Sequence, residues 1–232
     1  VTSLAILPIS LAEEITEGAD LASCILKAAV LADGDVVVVT QKIVSKAEGR
    51  VVNLAEGDEE GFLALVHSES ARVLRRRGTL AITETHHGFI CANAGIDRSN
   101  TRAGTVVLLP RDPDASARRI RIALERATGC RLAVVVTDTF GRTFRNGVTD
   151  VAIGCAGLRP ILDLRGTRDH TGRPLTATEV CIADEVAAAA DLVKTKGGRT
   201  PVVIVRGLDP QLLGEGSVKD EVVRDYSRDL FR

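Results

Sequence analysis

The sequence predicts an α/β protein of mixed order, with a mixed sheet flanked by helices. Three observations lead there. Five short runs rich in Val and Ile punctuate the chain, helical patterns with start signals lie between them, and no internal repeat or long apolar span competes with that reading. The chain has 232 residues, 45% hydrophobic and 26% charged. That mix suits a globular protein that buries its own core without disulfides or a structural metal. It is read as one domain over residues 1–232.

The strand runs are Asp35–Thr40, Thr79–Thr83, Thr105–Leu109, Leu132–Thr137 and Pro201–Val205. Each is short and largely β-branched, as buried strands are. The first helix is expected over Leu21–Leu31, capped by Asp20. A longer one is expected over Glu59–Arg76, reaching the charge run Arg75–Arg77. A third, Asp114–Ala127, opens after Pro113 with Asp114 or Ser116 as cap, and carries Ile120, Leu124 and Ala127 as its apolar stripe. Its arginines read as a solvated face. The last is Ala-rich and runs to Lys194. Thr176 and Glu179 have capping-box spacing before it, and Gly197–Gly198 stop it. Gly141–Arg173 has no regular period and is expected to be a functional loop.

Composition excludes several functions. Thirty Lys+Arg against 31 Asp+Glu leave a net charge of -1, without the basic excess of a nucleic-acid coat. Aromatics are 3% of residues, too few for a base-stacking platform. No apolar run approaches membrane-spanning length, and no signal peptide is evident. The five cysteines are widely spaced and read as reduced thiols of a cytoplasmic protein. There is no P-loop, no GxGxxG after a strand and no HExxH.

Four polar segments adjoin Val-rich strands. Val136–Arg145 places Asp138 and Thr139 at a strand end, where a hard cation is well served, with Arg142 and Arg145 as forked donors for an anion. The alternative is a capped turn with surface ion pairs. Ala92–Asn100 offers Asp97 as a second carboxylate and Asn100 as a hydrogen-bonding group, against an ordinary Asx turn. Val39–Lys46 supplies lysines that suit phosphate. Arg206–Ser217 adds Glu215 in a Gly-rich turn. Together they suit a divalent cation holding a polyphosphate.

The motifs TQKIVSKAEGR (40–50), AGIDRSN (94–100), TDTFGR with the following RNG, TDVAIG and AG (137–157) and ADE with the following AAAADLV (183–193) resemble the coenzyme F420-0:L-glutamate ligase family. The resemblance spans nearly the whole chain and implies a gamma-glutamyl ligase-like fold of two intimately packed subdomains, without a C-terminal nitroreductase-like domain. It implies GTP as co-substrate, two divalent cations (Mg or Mn), a monovalent cation such as K as a further candidate, and a homodimer. It implies L-glutamate and a deazaflavin coenzyme precursor as the other partners. Carried over by position, Asp97 and Asp138 resemble the ligands of one metal, and Thr139 and Glu215 those of the other. Leu7, Pro8, Ile9 and Ser10 in a turn, with Gln41, Lys46 and Asn100, resemble GTP contacts. Arg142 and Arg145, as forked donors, are expected to act catalytically by stabilising the migrating phosphoryl group. A metal-dependent nucleotide or phosphate sensor and a phosphohydrolase stand as the alternatives.

Overall fold

A computed structural model describes residues 3–99, 101–194 and 199–230. In chain order the elements are β1 (Ala5–Ile9), α1 (Leu21–Ala28), β2 (Val36–Thr40), α2 (Gln41–Ala47), β3 (Val51–Asn53), α3 (Glu59–Ser68), β4 (Ser70–Arg77), β5 (Leu80–Thr85), β6 (Ile90–Ala92), β7 (Thr105–Val107), α4 (Pro113–Thr128), β8 (Ala133–Arg142), β9 (Arg145–Ala156), β10 (Ile161–Asp163), β11 (Glu179–Cys181), α5 (Ile182–Asp191) and β12 (Val202–Arg206). The expected mixed α/β class is borne out. The main sheet has the order β1-β12-β2-β8-β9, in which only β2 and β8 pair in parallel.

Val36–Val39 and Val134–Val136 are all fully buried. Consecutive burial means that both faces of these strands are covered, which is why the sequence there reads as continuous apolar runs. A second hydrophobic cluster forms around Phe62, Val66, Ala81, Ile96, Val106 and Leu108, contributed by α3 and the short sheets β4-β5-β6 and β3-β7. No helix among the described residues is long and apolar enough to cross a membrane. The cysteines are unpaired. Burial pushes the Cys91 and Cys181 thiols up to about 12 and Cys155 higher still, so these three remain unreactive protonated thiols.

Four local expectations are corrected. The helix expected to Arg76 ends at Ser68, and Ser70–Arg77 is a strand paired with β5. Gly78 at φ 61 makes the tight turn between Arg77 and Leu80, so the charge run lies on a hairpin arm. Asp112, not Asp114 or Ser116, caps α4 by accepting from the Ala115 amide at 2.9 Å. Thr176 and Glu179 do not form a capping box. Glu179–Cys181 pairs with β10 and the helix begins at Ile182, while Gly197–Gly198 lie outside the described residues. Much of Gly141–Arg173 is strand, because β9 folds back on β8.

Asp114 is buried and serves as the fold's main polar clamp. It accepts from the Cys155 amide (2.8 Å), the Val218 amide (3.0 Å), the Lys219 amide (3.1 Å) and the Ser217 hydroxyl (2.9 Å). The clamp ties the first turn of α4 to β9 and to the C-terminal segment. The close approach needs Gly154, where a Cβ would lie 2.3 Å from the Pro113 carbonyl carbon. Asp114→Ala leaves three backbone amides without an acceptor and is expected to cost about 3 kcal/mol in urea unfolding. The exposed Glu185→Ala should stay within about 0.5 kcal/mol of the parent.

Candidate functional site

The parallel ladder between β2 and β8 ends at Thr40 opposite Thr137. There β2 turns directly into α2, while β8 runs on to Arg142 with only β9 beside it. The gap at the carboxyl ends of parallel strands is where open α/β sheets bind ligands. It is a cavity of about 970 Å³, near the upper end of the ordinary range for small-molecule sites, roughly 300–1,000 Å³. Its walls include α2, the turn Asn93–Ser99, the overhang of β8 and β9, Leu11–Ile15 and the Arg199–Pro201 approach to β12.

Consecutive strand residues point to opposite faces, so the overhang offers the cavity two sides of β8. On one side Asp138 meets Asp97 and Lys42. The Lys42 ammonium is 2.7 Å from Asp97 Oδ2. Asp97 Oδ1 also accepts from the Ser99 amide (2.6 Å) and hydroxyl (2.8 Å), so the Asx turn forms and still leaves Asp97 in the cavity wall. Asn93, Ala94 and Gly95 all adopt positive φ just before it. Asn93 Oδ1 accepts from the Ala81 amide and the Ala94 amide donates to Thr83, so β5 holds this uncommon turn in place. Asp138 keeps part of its surface open to the cavity but is hemmed in by protein. That burial pushes its carboxyl up to about 7. Asp97 and Asp150 push the same way, while the Thr139 amide and Lys42 oppose.

On the other side Thr139 donates to Asp150 Oδ1 at 2.7 Å. Lys194 is 2.8 Å from Asp150 Oδ2, and this ion pair is buried.

The remaining expected residues fall in different places. Lys46 lines the cavity, 3.2 Å from Glu14. Gln41 also lines it. Its Oε1 accepts from Ser45, but its buried Nε2 has no partner among the described residues. A buried donor left open toward a cavity is costly unless a ligand accepts from it. Leu7, Pro8 and Ile9 are not a turn: they belong to edge strand β1, in register with Ile204, Val203 and Val202, and Ser10 follows directly. The cavity wall begins one residue later, at Leu11. Asn100 lies outside the described residues. Glu215 is exposed and sits 2.8 Å from Arg121. Arg131 and Gly157 hold its turn at the start of β8, the end opposite Thr139. Arg142 and Arg145 sit at the β8–β9 hairpin tip, where Arg142 donates to the Asn146 carbonyl. Lys42 is one of the lysines that the Val39–Lys46 segment offered, whereas the sequence assigns Asp150 and Lys194 no role. Only the pairing of Asp150 with Thr139 across the hairpin, and the packing of the end of α5 beside it, bring them to the site.

Among the described residues no three His, Cys, Asp or Glu side chains form a ready-made metal cage. The donor set nonetheless fits a hard cation of the Mg type, which binds through one or two carboxylates and completes its shell with water and phosphate oxygens. The crowding of negative charge on Asp138 is what such a cation relieves.

Comparison with known proteins gives a family match. Residues 11–207 match the family model described as F420-0:Gamma-glutamyl ligase. A relative from Methanothermobacter thermautotrophicus, named coenzyme F420:L-glutamate ligase, is 44% identical over 87% of this chain and 86% of its own. Similar proteins of the same name occur in Methanopyrus kandleri, 40% identical over 99% and 98% of the two chains, and in Archaeoglobus fulgidus, 41% identical over 94% and 92%.

Because the Asp138 pKa in the fold lies above its ordinary 3.8, the fold favours the protonated form, and native stability falls as pH rises from about 4 through about 7. In EDTA at pH 8, Asp138→Asn should therefore be more stable than the parent, by about 2 kcal/mol given that water reaches the cavity. At pH 4 the two should melt alike. Added Mn²⁺ at pH 8 should raise the melting temperature of the parent and leave the variant nearly unchanged.

Proposed function

This chain belongs to the F420-0:gamma-glutamyl ligase family, and from that premise we propose that it joins L-glutamate to the deazaflavin precursor F420-0, using GTP and building a gamma-linked tail. The observation that carries the reading is the cavity itself. Lysines 42 and 46, the carboxylates of Asp97 and Asp138, the Thr139 hydroxyl and the open Gln41 amide all face one space at the strand ends. Cations for phosphates, hard ligands for a metal and a waiting donor occur together there.

The precursor carboxylate is a poor electrophile. Its attack on the γ-phosphate of GTP gives an acyl phosphate and GDP. The α-amine of glutamate then attacks the acyl carbon, forming the amide and releasing phosphate and a proton. Two divalent cations, Mg or Mn, would supply charge neutralisation on the phosphates, Asp97 and Asp138 holding one and Thr139 lying toward the other. Lys42 and Lys46 exchange their carboxylate partners for phosphate oxygens when the nucleotide enters. Gln41 Nε2 donates to a nucleotide oxygen. A monovalent cation such as K belongs to the same scheme as an auxiliary phosphate counterion. A cytoplasmic setting suits the five free thiols.

Arg142 and Arg145 reach a migrating phosphoryl group only if a hairpin tip meets a cavity mouth, and we place that encounter in a homodimer. Phe144 at the tip is 91% exposed and Val148, in the cavity wall, is 52% exposed. Those are the apolar groups a second copy would cover. The parent should run as a dimer in light scattering, and Phe144→Ser should shift it toward monomer with at least a tenfold loss of turnover. A variant that remains a fully active dimer removes the hairpin from the contact.

The reaction is tested by incubating the protein with GTP, Mn²⁺, glutamate and F420-0. GDP release should require both acceptors, and Asp138→Ala should lower it by at least a thousandfold while the circular dichroism stays that of the parent. GDP release without acceptors would favour a phosphohydrolase. Nucleotide binding without release would favour a sensor.

A further inference from the structure

The Thr139 side of the cavity holds a network that the reaction scheme does not use. Asp150 is 2% exposed and Lys194 9%. Asp150 Oδ1 accepts from the Thr139 hydroxyl at 2.7 Å. Asp150 Oδ2 accepts from Lys194 Nζ at 2.8 Å and from the Thr137 hydroxyl at 3.0 Å. Lys194 also donates to Thr137 Oγ1 at 2.8 Å.

A buried ion pair of this kind is a poor stability device, because desolvating two charges offsets most of their attraction. Its geometry points to another use. A carboxylate only accepts, and a threonine hydroxyl has a single proton. The Thr139 proton is thus committed to Asp150, and what Thr139 presents to the cavity is lone pairs.

We propose that Asp150, held by Lys194, is a positioning residue that fixes the Thr139 hydroxyl as an oxygen donor for a divalent cation. Asp150 thereby supplies the carboxylate of the Thr139 side, where the sequence leads one to expect Glu215. Within the chain Glu215 lies at the other end of β8 with Arg121. The proposal rests on the reading of Thr139 as a cation ligand. It adds that the ligand's orientation is set by a cross-strand partner, and that Lys194 holds that partner through countercharge and a shared contact with Thr137.

The test is Mn²⁺ binding, followed by the electron-paramagnetic-resonance signal of the free ion, with and without GDP. Asp150→Asn replaces an acceptor by a group that also donates, and should weaken Mn²⁺ binding by about tenfold or more, as removal of outer-shell partners does. Combined with Thr139→Val it should add little to the loss from Thr139→Val alone, since both remove the same ligand. Asp150→Asn leaves Lys194 buried without a countercharge, so Asp150→Asn/Lys194→Met is measured beside it. That pair relieves the stability loss but, on this proposal, not the Mn²⁺ loss. Parent-like Mn²⁺ affinity in either folded variant overturns the positioning role. Parent-like affinity in Thr139→Val overturns instead the reading of Thr139 as a ligand, and the two failures are told apart by which variant binds normally.

Discussion

The parallel pairing of β2 with β8 stops at Thr40 and Thr137, and the functional end of the molecule depends on that stop. Up to it, the strands are valine ladders covered on both faces. Past it, β2 has become α2 and β8 continues with a partner on one side only. A strand freed of one neighbour can present both of its faces to the same space. That is why Asp138 and Thr139, adjacent in sequence and opposite in direction, both line one cavity. Asp114 supports the arrangement from the far end of β9, where its bonds hold Cys155 and the C-terminal segment against α4.

The cavity is charged but locally balanced. Lys42 faces Asp97, Lys46 faces Glu14 and Lys194 faces Asp150. The near-zero net charge of the chain is reproduced here in miniature, each lysine resting on a carboxylate. Asp138 stands apart, because burial and two neighbouring carboxylates outweigh the help it receives from Lys42. The shortage of aromatics has a structural counterpart. Phe140 packs edge-on against Phe89 and Phe144 is exposed, so the apolar part of the cavity wall is aliphatic, with Leu11, Ile15, Ile43 and Ile96.

Local signals in the sequence were legible where the local chain decides the outcome. Asp20 caps α1 because its side chain reaches the Ser23 amide three residues on. The Val-rich runs of β2, β8 and β12 are strands whose side chains are buried from both sides, whereas the run in β5 alternates buried and less buried residues. Reading failed where a pattern had two solutions. Arg75–Arg77 suits a helix end as well as a hairpin arm, and only pairing with β5 selects the strand. The Gly- and Arg-rich stretch after Gly141 lacks period because β9 is exposed along its first half and buried along its second.

The sequence by itself determined the mixed α/β class, the Asp20 cap of the first helix, the unpaired cysteines and the motif set that places the chain in its family. These depend on composition, short-range periodicity and residue type. Tertiary structure alone decided which carboxylate stands beside Thr139. Asp150 reaches it across the hairpin in register, whereas Glu215 is held at the other end of β8 by Arg121 and the Arg131–Leu213 contact. Spacing along a chain carries no information about cross-strand register until the turn is known. A residue's place at a site is set by that register.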